Sequence, residues 1–196
     1  MAKPRKAAGK VLKADAAATE AARPHRHSLP VRLLEPVADL GDQPAMRVLC
    51  GSVILVGLVG GDRRLAGTGV RMLLAHSLAT FAKDFVKRRV DRTRPRSQGK
   101  KGKSPAPKPG RHTAKEETSF PSGHSAGAAA VARAFARDYP EHQAPAYAGA
   151  AALALTQIPR SAHYPSDVGT GLAIGVAAEA VVDIAFKLVE EARKPR

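Results

Sequence analysis

Aromatic residues and cysteine are scarce in this chain. It has no tryptophan, three tyrosines, five phenylalanines and one cysteine among 196 residues. Platforms that bind single-stranded nucleic acid stack bases on exposed aromatic faces, and a chain this poor in aromatics is not built as one. The lone cysteine, Cys50, rules out an internal disulfide framework and removes the usual ligands of a cysteine-based zinc cluster. Acidic residues are also few: 17 Asp and Glu stand against 32 Lys and Arg, leaving a formal charge of +15. An excess of that sign points to an acidic partner: a nucleic acid, an anionic membrane surface or a phosphorylated substrate. An uninterrupted apolar leader is missing as well. Ala14–Ala22 is broken by Asp15, Thr19 and Glu20, so no secretory signal is expected there.

What the chain does have is a basic start and a series of apolar segments. Residues 1–30, rich in Lys, Arg and Ala, read as a disordered or loosely helical basic tail. Residues 31–196 read as one helical domain. Val31–Leu40 has the spacing of a short amphipathic segment around Pro36, and Asp42 and Pro44 signal a helix start. Helices are predicted over Ala45–Gly61, Leu65–Val86, Gly123–Ala136, Ala146–Ile158 and Val168–Val189. Ala and Gly dominate the last three, which favours close helix contacts. No alternating stretch rich in β-branched and aromatic residues occurs, so the expected fold is an all-α bundle of about five main helices. Arg96–Lys115, rich in Lys, Pro, Gly and Ser, reads as a flexible basic loop.

Three polar clusters fall where apolar helices end, which suggests one shared site on one side of the bundle. In Lys87–Pro95, Lys87 offers a point charge and Arg94 a bidentate fork for a phosphate, while Pro95 stops the helix. In Ser119–Ser125, Pro121 and Ser122 are helix-start residues. The first free backbone N–H groups after them suit an anion, Gly123 allows its close approach, and His124 can donate a proton to a leaving oxygen. In Pro159–Val168, His163 and Asp167 are four residues apart, so the carboxylate can fix the imidazole tautomer and raise its basicity. Each cluster alone also has a plain reading: a basic helix end complementing the macrodipole, an ordinary N-cap, or a carboxylate at a helix N-terminus.

Together and in this order, Lys-x6-Arg-Pro at 87–95, Pro-Ser-Gly-His at 121–124 and His-Tyr-Pro-Ser-Asp at 163–167 resemble the three signature motifs of the type 2 phosphatidic acid phosphatase superfamily. The resemblance implies a phosphatase with His163 as the nucleophile of a phosphohistidine intermediate, Asp167 orienting it and His124 as general acid. Lys87, Arg94, Ser122 and Gly123 would hold the phosphoryl oxygens, with no metal or cofactor. One departure stands out. The Ser-Arg pair that the third motif usually carries six to seven residues before the histidine is Thr156-Gln157 here, and Arg160 is the nearest candidate to replace the missing cation.

The implied substrate is a lipid phosphate or a polyprenyl pyrophosphate. The apolar segments Ala45–Gly61, Gly67–Val86 and Val168–Val189 further suggest a membrane-embedded protein, of bacterial inner-membrane type. Ala45–Gly61 is slightly short for a span of roughly 20 residues. Two other readings compete: a degenerate relative that binds phosphate with little turnover, and a basic protein that binds nucleic acid or a membrane surface. The second explains the charge but not the motifs. A vanadium haloperoxidase would use a similar pocket, but the aromatics expected around its site are missing.

Overall fold

The computed structural model describes residues 3–33, 35–97 and 106–194. It is almost entirely helical: α1 (Lys3–Ala22), α2 (Leu29–Leu33), α3 (Glu35–Asp39), α4 (Gln43–Val59), α5 (Arg63–Lys87), α6 (Gly123–Asp138), α7 (Gln143–Leu155) and α8 (Pro165–Ala192). The five long helices of the bundle lie where the apolar patterning puts them. α4 begins after Asp42 with Pro44 in its first turn, and α6 begins after Ser122, as the start signals require.

Alanine decides the architecture. α6 is the central helix, with Ala126 to Ala136 buried almost without interruption, and it packs against α5, α7 and α8 while α4 lies on α5. Small side chains let the backbones approach closely. At Gly175 of α8, a Cβ would lie 2.3 Å from the Ala126 carbonyl oxygen and 2.8 Å from the Ala129 Cβ, so only glycine fits.

Three differences from the sequence reading are structural. Residues 3–22 form a helix, with Asp15 and Thr19 buried, where the sequence suggests a disordered or loosely helical tail. The later part of the Arg96–Lys115 loop is tied to the bundle: Lys108–Pro109 pairs antiparallel with Val90–Asp91, and Asp91 accepts from the His112 backbone N–H at 2.9 Å. The centre of that loop, 98–105, lies outside the described residues. Finally, among the described residues no helix is long and apolar enough to cross a membrane. α4 has 17 residues, and α5 and α8 carry Arg71, Lys83, Glu179 and Asp183 within their length.

Those polar side chains point inward and pair. Arg71 donates to Asp183 at 2.9 Å, Arg133 to Glu179 at 2.5 Å, and Arg137 meets both Glu179 and Asp183. The outer faces are apolar: Leu55, Val56, Leu58 and Val59 of α4, Phe81 of α5 and Val181, Ile184 and Leu188 of α8 are all more than half exposed.

Candidate active site

The three clusters converge at one end of the bundle. α5 ends at Lys87, and the chain runs through Arg92 and Arg94 alongside 116–119. α6 starts at Gly123, and the turn after α7 leads through His163 into α8. That last turn is tight. The Gln157 carbonyl accepts from the N–H groups of both Ala162 and His163, and Ser161 sits at φ 51°, a left-handed conformation that a serine adopts only when the surroundings impose it.

His163 is 2% exposed, and its Nδ1 lies 3.7 Å from Oδ2 of Asp167. That is longer than a hydrogen bond, and such contacts commonly tighten only when substrate binds. Burial pushes the imidazole down to about 4 against the upward pull of Asp167, with Arg94 and Lys87 adding to the fall. A shift in that direction favours the neutral imidazole at pH 7. Asp167 is fully buried and accepts from the Tyr164 N–H at 2.9 Å, the Arg92 guanidinium at 2.5 Å and the Ser119 hydroxyl. Burial works to raise this carboxyl, but His163, Arg92 and Ser119 outweigh it and keep it below the usual carboxylate range.

A polar cavity of about 120 Å³ is lined by Arg94, Arg160, Arg96, Lys115, His124, Gln157, Ala162, Asp39 and Asp42. Arg94 is fixed by donating from Nε to the Lys115 carbonyl at 2.7 Å. His124 Nε2 lies 3.2 Å from Oδ1 of Asp42, the residue that starts α4. Burial lowers the His124 pKa, Asp42 opposes that, and Arg160, Arg94 and Lys87 lower it further. Gly41 is what lets the ring in, since a Cβ there would lie 2.7 Å from its Cδ2.

Arg160 does reach the cavity, where it lies 3.4 Å from Asp39. Gln157 lines the same wall, with its amide nitrogen 3.3 Å from the Leu153 carbonyl. Two expected phosphate ligands are turned to protein partners. The Ser122 hydroxyl accepts from the Ser125 hydroxyl at 2.9 Å, and Lys87 Nζ donates to the Thr118 carbonyl at 3.1 Å, beside a separate basic cavity shared with Arg88, Arg111 and His112. Gly123 opens α6 against the stem of Lys83. The sequence reading gives Arg92, Asp42, Ser119 and Asp15 no role in the site. Arg92 is hidden among like-charged neighbours, while Asp15 gives one signal, an isolated acid in a basic stretch.

A helical bundle carrying a buried histidine–aspartate dyad beside a small cationic cavity defines the class. The same fold occurs in LpxE of Aquifex aeolicus, with a TM-score of 0.56 at 20% identity over 83% of this chain and 92% of that one. It also occurs in the transmembrane PAP2-type phosphatidylglycerolphosphate phosphatase of Bacillus subtilis, with a TM-score of 0.61 at 22% identity over 94% of this chain and 88% of that one. The model of the PAP2 superfamily matches residues 68–189, and the chain belongs to that family. Over 104 residues it is 40% identical to a lipid A 1-phosphatase of Rhizobium johnstonii, which is 53% of this chain and 41% of that protein. Over 57 residues it is 47% identical to the lipid A 1-phosphatase of Rhizobium etli, 29% of this chain and 25% of that one. The chain thus spans less than half the length of these curated relatives.

Proposed function

We propose that this protein hydrolyses a phosphate ester or diphosphate on the headgroup of a membrane lipid through a phosphohistidine on His163. The observation that carries the reading is the buried His163 facing Asp167, with its chain neighbour Ala162 lining a small cavity walled by Arg94, Arg160 and His124. Nε2 of His163 attacks phosphorus, and the bond to the leaving oxygen breaks as His124 gives that oxygen its proton. Arg94 and Arg160, with Lys87 once it leaves Thr118, stabilise the charge on the phosphoryl oxygens. His124, now neutral, takes a proton from the water that cleaves the phosphohistidine and releases phosphate. Arg160 supplies the cation that Gln157 lacks.

The lipid character of the substrate is supported by a second cavity. An open apolar groove of about 450 Å³ runs between α4, α6 and α7 past Met46, Leu49, Ala128, Phe135, Ala146 and Leu153. Met46, Ala128 and Leu153 each sit one helical turn from Asp42, His124 and Gln157 of the polar cavity, so a headgroup phosphate and an acyl chain have adjoining places. The exposed apolar faces of α4, α5 and α8 suit contact with lipid tails, with the charges of Arg71, Glu179 and Asp183 paired inside. The names of the relatives make lipid A carrying a 1-phosphate the first substrate to try, followed by phosphatidic acid, phosphatidylglycerol phosphate and a polyprenyl pyrophosphate.

The test is phosphate release from each of these in mixed micelles by the full chain and by His163→Ala. The expected result is turnover of at least one lipid by the wild type and a loss of at least about 1,000-fold in the variant. Equal rates for the two proteins would remove His163 from catalysis. Phosphate binding without release would favour a degenerate relative.

A further inference from the structure

The basic N-terminal helix delivers one carboxylate to the heart of the dyad's support. Asp15 lies on α1, well before the residues matched by the family, and is 2% exposed. Its Oδ1 accepts from the Ser166 N–H at 3.0 Å, and its Oδ2 accepts from the Ser166 hydroxyl and from Nη2 of Arg92, both at 2.6 Å. The other end of the same guanidinium, Nη1, donates to Oδ1 of Asp167 at 2.5 Å and to the Ser166 hydroxyl at 2.8 Å, with the Arg92 plane 3.9 Å over the Tyr164 ring. Oδ2 of Asp167 is the oxygen that faces His163. Arg92 is therefore a fork with one carboxylate on each tine.

The electrostatics follow. A buried arginine bonded to Asp167 alone would neutralise that carboxylate and weaken its hold on the imidazole. Asp15 draws half of the guanidinium away and restores a net negative charge to the group of three. It also binds the free N–H of Ser166 in the first turn of α8, where a carboxylate is favoured by the helix dipole, and so fixes the turn that carries Asp167. The charged groups facing His163 are Asp167 from α8, Lys87 from the end of α5 and Arg94 from the segment after it.

We propose that Asp15 is a positioning residue for the His163–Asp167 dyad, acting through Arg92 and Ser166, and that α1 is part of the active unit. The proposal rests on the phosphatase reading for its kinetic test but not for its second readout. In the full chain, Asp15→Asn is expected to lower kcat by about 10- to 100-fold with little change in KM, because the substrate touches neither residue. Asp15→Glu should recover much of the loss. Arg92→Lys, which cannot bridge both carboxylates, should give a similar fall, and the double variant Asp15→Asn, Arg92→Lys should be no worse than the poorer single variant. Losses that multiply, or a folded Asp15→Asn with wild-type kcat, would overturn the proposal. If the asparagine variant does not fold, Asp15→Ser is subject to the same criterion. The His163 ring resonance followed by NMR titration needs no substrate, and it should move to lower pH in the charge-removing variant. Its staying fixed overturns the proposal. A wild type that releases no phosphate while the resonance moves would sink the phosphatase reading and leave this one standing.

Discussion

At the scale of the residue, the proposed mechanism requires opposite protonation states within one site. His163 can attack only when neutral, and burial holds it down to about 4. Lys87 can neutralise phosphate only when charged, and burial, with Arg94 and Lys83, pushes it down to about 7. His124 must carry a proton to give, and burial keeps it below its ordinary value. A group that fails by gaining a proton sets the acid side of the profile, and groups that fail by losing one set the alkaline side. kcat/KM, which reports the free enzyme, should therefore rise through about pH 4 and fall in two steps, first with His124 and then above about 7 with Lys87. Lys87→Arg should abolish only the second step, because a guanidinium keeps its proton throughout this range. A pH–rate profile unchanged by that substitution would remove Lys87 from phosphate binding. The candidates His163, Asp167, His124 and Arg94 are legible in the sequence because their spacing is tied to helix starts and ends. Asp42 and Asp15 are not, because each meets its partner only across the fold: Asp42 reaches His124 from the start of α4, and Asp15 reaches Arg92 from a different helix, 77 residues away.

At the scale of the element, the site is only as well placed as the contact between α6 and α8. α6 brings His124 and α8 brings Asp167, and the two helices touch backbone to backbone at Gly175. Gly175→Leu forces a side chain into that contact and is expected to cost about 1–3 kcal/mol or more. A lowered melting temperature in detergent with a matching loss of kcat would bear this out. An unchanged melting temperature would mean that the helices are less closely apposed than the structure has them. The helices themselves are legible from hydrophobic patterning, and the boundaries of α4, α5 and α6 fall within a few residues of the expected ones. The patterning leaves α1 as a disordered or loosely helical tail and does not show that it docks. Its alanine-rich, basic sequence has no strong apolar stripe, and what docks it is a pair of buried polar groups, Asp15 and Thr19.

At the scale of the whole molecule, the +15 charge and the apolar outer faces make separate claims about the membrane. Surface attraction between basic groups and anionic lipid is screened within about 3 Å at 1 M salt, whereas apolar contact with lipid tails is not weakened by salt. The full chain bound to anionic vesicles should therefore remain with them in flotation assays at about 1 M salt. Release at that ionic strength would reduce the association to the charge alone. The sequence by itself determined the helical class, the order of the motifs and the candidate histidine–aspartate pair, because periodicity and spacing along the chain are local properties. Tertiary structure alone decided which face of each helix is buried, that Arg160 reaches the cavity beside Gln157, and that a carboxylate from the first helix holds the arginine behind Asp167. Those depend on groups far apart in sequence meeting in a buried site, where an unpaired charge is costly and a partner must be found wherever the fold supplies one.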